Sequence, residues 1–252
     1  MTTSGDNPQT PLSGKVVLVT GGGRGIGRAI ALAAARAGAD VCVTARSKDQ
    51  IDGVAAEIRN LGQTAVAEVC DVSDLQSVTS MIESSLEQLG RLDILVNNAG
   101  GGLERTPVGE DDPVAWKEVI ETNLLGTYYC SRQALPHLKQ SRGKIINVGS
   151  GMGHQPRATN SSYNVAKAGV WMLTRCLAMQ LWEEGIAVNE LIPGPVETDL
   201  TRSIFQSDRP HPQLGSEWVK QPDDVVPVAM LMMTQPELGA TGQSFSIARR
   251  PL

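Results

Sequence analysis

The sequence predicts an α/β fold, a doubly wound parallel sheet of about seven strands with helices on both faces. Three observations carry this. Short apolar runs alternate with longer helical patterns along the chain, and parallel strands need right-handed crossovers that cover both faces of a sheet. A glycine cluster, Gly21-Gly22-Gly23-Arg24-Gly25-Ile26-Gly27, directly follows the first apolar run. The other chemically distinctive motifs fall at strand ends or on the helices that follow, the edge where such sheets bind ligands.

Strands are expected near 15–20, 40–45, 65–70, 93–97, 143–149, 186–192 and 243–248. The first, Lys15-Val16-Val17-Leu18-Val19-Thr20, runs through the glycine turn into a helix. Glycine permits tight-turn dihedrals there and lets backbone N–H groups approach a pyrophosphate at the helix N-terminus. Gly21, Gly25 and Gly27 read G-x-x-x-G-x-G, not the usual dinucleotide spacing G-x-G-x-x-G. A Rossmann-type dinucleotide site is the natural reading, and a merely flexible turn the alternative.

Tyr163-Asn164-Val165-Ala166-Lys167 places a phenol and a cation four residues apart, with Ser150 upstream. Helical side chains four apart share a face. A close ammonium favours the phenolate and is expected to lower the tyrosine pKa, which makes Tyr163 a candidate general acid or base. On its own the pair also fits a solvated helix face.

Together with the glycine turn, these residues resemble the short-chain dehydrogenase/reductase family, in its single-domain branch similar to 3-oxoacyl-carrier-protein reductases. Further motifs match that pattern in order: Asp71-Val72 after the third strand, Asn97-Asn98-Ala99-Gly100 after the fourth, and Asn123 within Glu121-Thr122-Asn123-Leu124-Leu125-Gly126. Ser150 follows the fifth strand, and Pro193-Gly194 with Thr198 the sixth. The resemblance implies that Tyr163 exchanges a proton with the reacting oxygen and that Lys167 lowers the phenol pKa and bonds the nicotinamide ribose. Ser150 would hydrogen-bond that oxygen. Asn123 would position a water linking Lys167 to solvent, unless its amide simply bonds backbone.

The implied cofactor contacts are Gly21, Gly23, Arg24, Gly25, Ile26 and Gly27 around the phosphates, Arg46 and Ser47 at the ribose, and Asp71 and Val72 at the adenine. Asn98, Ala99 and Gly100 would line the cofactor, with Pro193, Gly194, Val196 and Thr198 at its nicotinamide end beside Tyr163 and Lys167. Cofactor choice turns on the end of the second strand, where an acid would bind ribose hydroxyls and a cation a 2′-phosphate. Arg46 stands there, Arg24 can reach the same phosphate, and a planar guanidinium suits it. NADP(H) is favoured and NAD(H) remains possible; the alternative is two solvated arginines.

The expected activity interconverts a secondary alcohol and a ketone, a 3-oxoacyl thioester included. A non-redox epimerase or dehydratase on the same fold, or a cofactor-binding regulator without turnover, are the alternatives. The first commonly carries a longer C-terminal substrate domain and the second a broken tetrad, and neither mark is seen here. The wall facing Ser150 is expected from Gly151, Met152, Gly153, His154 and Gln155.

With 252 residues and 26.8 kDa the chain suits one domain over 13–252, after a polar tail over 1–12 that lacks the cationic start and apolar stretch of a signal peptide. A net charge of −5 and a pI near 5.3 argue against nucleic acid or anionic membrane as partners. No apolar run is long enough to span a bilayer, so a cytoplasmic protein is expected. Cys42, Cys70, Cys130 and Cys176 lack metal or disulfide spacing and read as buried free thiols; the scattered histidines offer no metal ligand set.

The helix from Tyr163 to Glu184 carries two apolar stripes, Ala166-Val170-Leu173-Leu177-Leu181 and Val165-Ala168-Met172-Cys176-Met179. One can pack on the sheet and the other needs a second partner. A homodimer or homotetramer interface is expected, in line with the family; a groove filled by the preceding helix is the alternative. The irregular stretch 201–223, with Ile204, Phe205, Leu214 and Trp218, reads as a substrate lid or a plain surface excursion. The chain ends Ser244 to Leu252 without the family's glycine-rich, acidic turn, which puts the usual C-terminal packing in question.

Overall fold

Valine, isoleucine and alanine dominate the strand segments, side chains that fill a pleated surface buried on both faces. In the computed structural model, which describes residues 10–102, 106–156, 158–205, 210–211 and 214–249, they form β1 (Val16–Thr20), β2 (Asp40–Ala45), β3 (Ala65–Val69), β4 (Ile94–Asn97), β5 (Lys144–Val148) and β6 (Ala187–Ile192). Two short strands follow, β7 (Pro210–His211) and β8 (Leu214–Trp218), and then β9 (Ser244–Ser246). The main sheet is parallel throughout, in the order β3-β2-β1-β4-β5-β6-β9. Its strands match the seven expected from the sequence.

The helices are α1 (Gly25–Arg36), α2 (Lys48–Asn60), α3 (Leu75–Leu89), α4 (Pro113–Ile120), α5 (Gly126–Ser141), α6 (Ser161–Leu181) and α7 (Val226–Thr234). They divide the core in two. Val17, Val19, Val41 and Val43 face α1 and α2, with Ala229 and Met232 of α7 on the same side. Leu18, Leu95, Ile145 and Val188 face α3, α5 and α6. Strand order reverses between β1 and β4, and a crevice opens there at the carboxyl ends of the strands.

A buried polar chain ties the sheet to the α5–α6 layer. The Asn97 amide donates to the Ser131 hydroxyl and to Asn147 Oδ1, at 3.0 and 2.9 Å, and the Asn147 amide donates to Thr174 at 2.9 Å. Buried amides need such partners, so these bonds fix α5 and α6 against β4 and β5.

Four expectations change. Leu12, assigned to the tail, is buried in the core and its N–H donates to Ala37 O; residues 1–9 lie outside the described residues. Cys176 is exposed, whereas Cys42, Cys70 and Cys130 are buried. It sits on the second stripe of α6, where Val165, Met172 and Met179 are also exposed, so the preceding helix does not fill a groove over that face. The stretch 201–223 is not irregular throughout: β7 and β8 pair antiparallel, Val196 bridges to Lys220, and a 3-10 turn with a capping box starts at Pro222. Its turn chemistry lacked a hairpin signature, which hid the pairing.

At the C-terminal end, β9 pairs with β6 despite the absent glycine-rich turn, Leu191 opposite Phe245. No helix among the described residues is long and apolar enough to cross a membrane.

Candidate active site

The glycine turn is shaped by close packing. A side chain at Gly27 would run into the Gly21 carbonyl and the Asn98 amide, so α1 meets the end of β1 only if this position has no Cβ. Gly25 has φ +54°, and a Cβ there would press on Thr198 at 3.2 Å. Arg24 makes no side-chain cap to α1, whose first turn contains no acid. Its uncapped N–H groups and positive dipole end sit at the crevice and suit an anion.

From the other side of the switch point, Asn98 closes the cradle. Its backbone N–H donates to the Thr20 hydroxyl, and its amide donates to Thr20 O at 2.9 Å and Gly21 O at 3.1 Å. Asn97 turns into the core instead. Asp71, after β3, accepts from the Ser73 N–H and hydroxyl. Burial pushes its carboxyl up, but those bonds and the Arg46 charge outweigh it and hold the pKa below the usual value.

Arg46 and Ser47 are exposed where β2 ends. Arg24 lies 3.7 Å from Asp199, a half-exposed ion pair that no motif in the sequence marks. Its acid follows Thr198 by one residue and only the fold brings it to the glycine turn.

Ser150 follows β5 by two residues and caps a 3-10 turn, Gly151–Gly153, its Oγ accepting from Met152 N–H at 3.2 Å. Asn160, in a left-handed conformation at φ +67°, starts α6, so that Tyr163 lies in the first turn and Lys167 one turn deeper. Tyr163 is hydrogen-bonded to the Ser150 side chain. Lys167 is buried and donates to Val148 O at 2.8 Å, with Nζ 5.6 Å from the Tyr163 ring centroid.

The electrostatics reverse one expectation. Burial pushes the Tyr163 phenol above its ordinary value, and the bond to Ser150 only partly opposes it. The ammonium lies over the ring and is engaged by a carbonyl, so it does not produce the lowering that a simple i,i+4 pairing implies. Burial lowers Lys167 itself to about 8, with Glu190 acting in the opposite direction.

Asn123 lies in a π-helical turn, Glu121–Leu125, between α4 and α5. Such turns push a side chain out of helical register. Its amide donates to Gly101 O and Val119 O, both at 2.9 Å, and its Oδ1 accepts from Gly101 N–H at 3.3 Å. These contacts are the backbone-bonding alternative.

One cavity of about 950 Å³ at the crevice is lined by every residue assigned above to catalysis or cofactor binding except Gly27, which lies behind it. Of the wall expected opposite Ser150, Gly151 and Met152 line the cavity, whereas Gly153 packs on the Lys167 backbone and His154 turns to Glu190. Thr159, Asn160, Leu200 and Phe205 line it as well. Thr159, Asn160 and Leu200 follow loops whose placement depends on contacts distant in sequence and carry no motif that local reading could find, whereas Phe205 and Ile204, which also lines the cavity, belong to the 201–223 stretch.

A parallel sheet with a glycine cradle, an open helix N-terminus and a Ser-Tyr-Lys wall at its switch point defines a dinucleotide-binding α/β oxidoreductase. A family model for short chain dehydrogenases matches residues 15–209. The chain belongs to the short-chain dehydrogenase/reductase family, whose members bind NAD(P)(H) and oxidise or reduce small molecules. It is 36% identical over 248 residues to a 3-oxoacyl-[acyl-carrier-protein] reductase of Synechocystis, covering 94% of this chain and 97% of the relative. It is 31% identical to a 7alpha-hydroxysteroid dehydrogenase of Escherichia coli K12, covering 94% of each. The crystal structure of a dehydrogenase/reductase from Sinorhizobium meliloti 1021 matches with a TM-score of 0.85 and 34% identity, over 95% of this chain and 96% of that one.

Proposed function

We propose that the protein is a cytoplasmic, NADP(H)-dependent reductase of ketones, working reversibly on the matching secondary alcohols, with Tyr163 as general acid and base. The observation that carries this reading is the meeting of Ser150, Tyr163 and Lys167 on one wall of a cavity whose other wall is the glycine cradle.

The residues fit a nicotinamide dinucleotide. The missing Cβ at Gly21, Gly23 and Gly25 lets backbone approach a pyrophosphate, and Arg46 and Arg24 offer charge for a 2′-phosphate. The bound cofactor supplies or accepts the hydride. Tyr163 gives its proton to the carbonyl oxygen in reduction and takes it back in oxidation. Its raised pKa keeps the phenol protonated at neutral pH, the form that reduction needs. Ser150 donates a hydrogen bond to the same oxygen, an electrostatic contribution of the oxyanion-hole kind. Lys167 holds positive charge beside the phenol and would bond the nicotinamide ribose of the bound cofactor. Asn123 braces the Gly101 backbone where the two halves of the crevice join.

The segment after Thr198 acts as a lid that serves as an apolar roof, a reading supported by Leu200, Ile204 and Phe205 lining the same cavity as Ser150 and Met152. A ketone with an apolar body suits that roof. The exposed stripe Val165, Met172 and Met179 forms the subunit interface of a homodimer or homotetramer, since apolar side chains aligned on one helix face gain from mutual burial.

A panel of carbonyl compounds assayed for NADPH consumption tests the activity: turnover of apolar ketones is expected, and no turnover of any member with either cofactor would sink the reading. Light scattering at micromolar concentration tests assembly, where a monomer mass would remove the interface.

A further inference from the structure

Glu190 occupies the middle of β6 with no exposed surface. It lies directly beside Asn147 of β5 and therefore on the sheet face that α6 covers. Its Oε2 accepts from the Ser244 hydroxyl of β9 at 2.6 Å and lies 2.9 Å from Nε2 of His154. His154 is held in turn: its ring packs on Trp171 of α6, with centroids 5.0 Å apart, and its side chain is 11% exposed. The other oxygen, Oε1, is buried with no hydrogen-bond partner and sits against Gly149, where any Cβ would collide with it.

Gly149 is the link between Val148, whose carbonyl receives the Lys167 ammonium, and Ser150. A buried carboxylate thus lies directly behind the backbone that carries two of the site's functional groups. Burying a charge without a counter-charge is costly. His154, from the bend after β5, is the titratable group in contact with Glu190, and Lys167, from α6, is bonded to the Val148 carbonyl next to the Gly149 that Glu190 sits against; Asn147 on β5 and Ser244 on β9 are neutral.

We propose that Glu190, clamped by His154 and Ser244, is a positioning residue of this active site and serves as the buried counter-charge to the Lys167 ammonium. The proposal rests on the reading that Lys167 serves the reaction. Burial alone favours the neutral amine, and Glu190 opposes it. Without that charge, Lys167 loses its proton closer to neutrality, and its bond to Val148 O weakens. His154 acts through Glu190: it keeps the carboxylate turned toward α6 without touching the cavity.

The experiment follows the Lys167 side chain directly. Lysine labelled with carbon-13 at Cε is titrated by NMR in the cofactor-free protein, from neutral to alkaline pH, with the Lys167 signal assigned by its loss in Lys167→Met. In Glu190→Gln the Lys167 midpoint is expected to fall by about one pH unit, the lower end of the effect of a nearby opposite charge. Glu190→Asp, which keeps the charge, should stay close to wild type. The pH profile of kcat should move with the midpoint, while KM for the carbonyl changes little.

An unmoved midpoint in folded Glu190→Gln would overturn the proposal and leave Glu190 a packing residue. Should that variant not fold, His154→Gln is titrated instead: loss of the clamp lowers the midpoint in the same direction, and no change there overturns the proposal equally. A shifted midpoint in an enzyme that turns over no carbonyl would refute the proposed activity and leave the counter-charge standing.

Discussion

On the β1–β3 side of the crevice the groups offered to a ligand are mostly backbone: N–H groups of the glycine turn, the open first turn of α1, and the Asn98 strut that holds them. On the β5–β6 side they are side chains, Ser150 and Tyr163 half-buried and Lys167 buried, backed by Glu190 and His154. The first wall is shaped by what is missing, the Cβ atoms. The second depends on charges kept out of water, whose state follows from neighbours on three different elements. The cradle should therefore fail sterically and without dependence on pH, and the wall electrostatically and with it.

The largest effect expected is on the wall. Tyr163→Phe removes the transferable proton and little packing, so turnover should fall by about 100- to 10,000-fold while cofactor affinity stays near wild type. Near-normal turnover would show that the proton comes from elsewhere and would break the contrast between the two walls.

Gly27→Val is the matching test of the cradle. The added side chain must displace the Gly21 carbonyl or the Asn98 amide, and overpacking of that kind costs about 3 kcal/mol. Dinucleotide binding and melting temperature should drop together at every pH. Wild-type binding in a folded Gly27→Val would mean that the turn adapts and is not set by close approach.

Lys167→Met should stabilise the cofactor-free protein. The folded pKa is lowered from 10.5 to about 8, so below about pH 8 the folded state bears the full cost of a buried cation. That cost fades as pH rises toward 10.5, where the unfolded lysine also loses its proton. The gain should therefore reach as much as about 3 kcal/mol at neutral pH and vanish in strong alkali. Thermal melts across that range check the sign; a loss of stability at neutral pH would mean that the bond to Val148 O outweighs the desolvation.

The smallest effect returns to the cradle. Arg46→Ala removes one charge-assisted contact to a 2′-phosphate, so NADPH should bind about tenfold more weakly and NADH almost unchanged. Fluorescence titration of both cofactors decides. Equal losses would assign Arg46 to holding Asp71, whose carboxyl it helps keep ionised.

The strand pattern and the cradle were legible in the chain because their signals are local: apolar runs of strand length, and glycines whose spacing carries the turn. The Ser150, Tyr163 and Lys167 positions were legible for the same reason, since a strand end and one helix turn place them whatever surrounds them. Local pattern thus settles which residues reach the crevice. Their chemical state was decided by the tertiary structure, because desolvation and buried charge depend on what packs around a group. The i,i+4 pairing pointed to a lowered Tyr163 pKa, but burial raises it and lowers Lys167 instead. Glu190 carried no readable signal, being one acid in an apolar strand, until β5, β9 and His154 closed around it. The Arg24–Asp199 pair was likewise out of reach, for it joins segments whose approach is settled only when the sheet is complete, whereas the pairing of β7 with β8 is local and was hidden by a turn without hairpin chemistry.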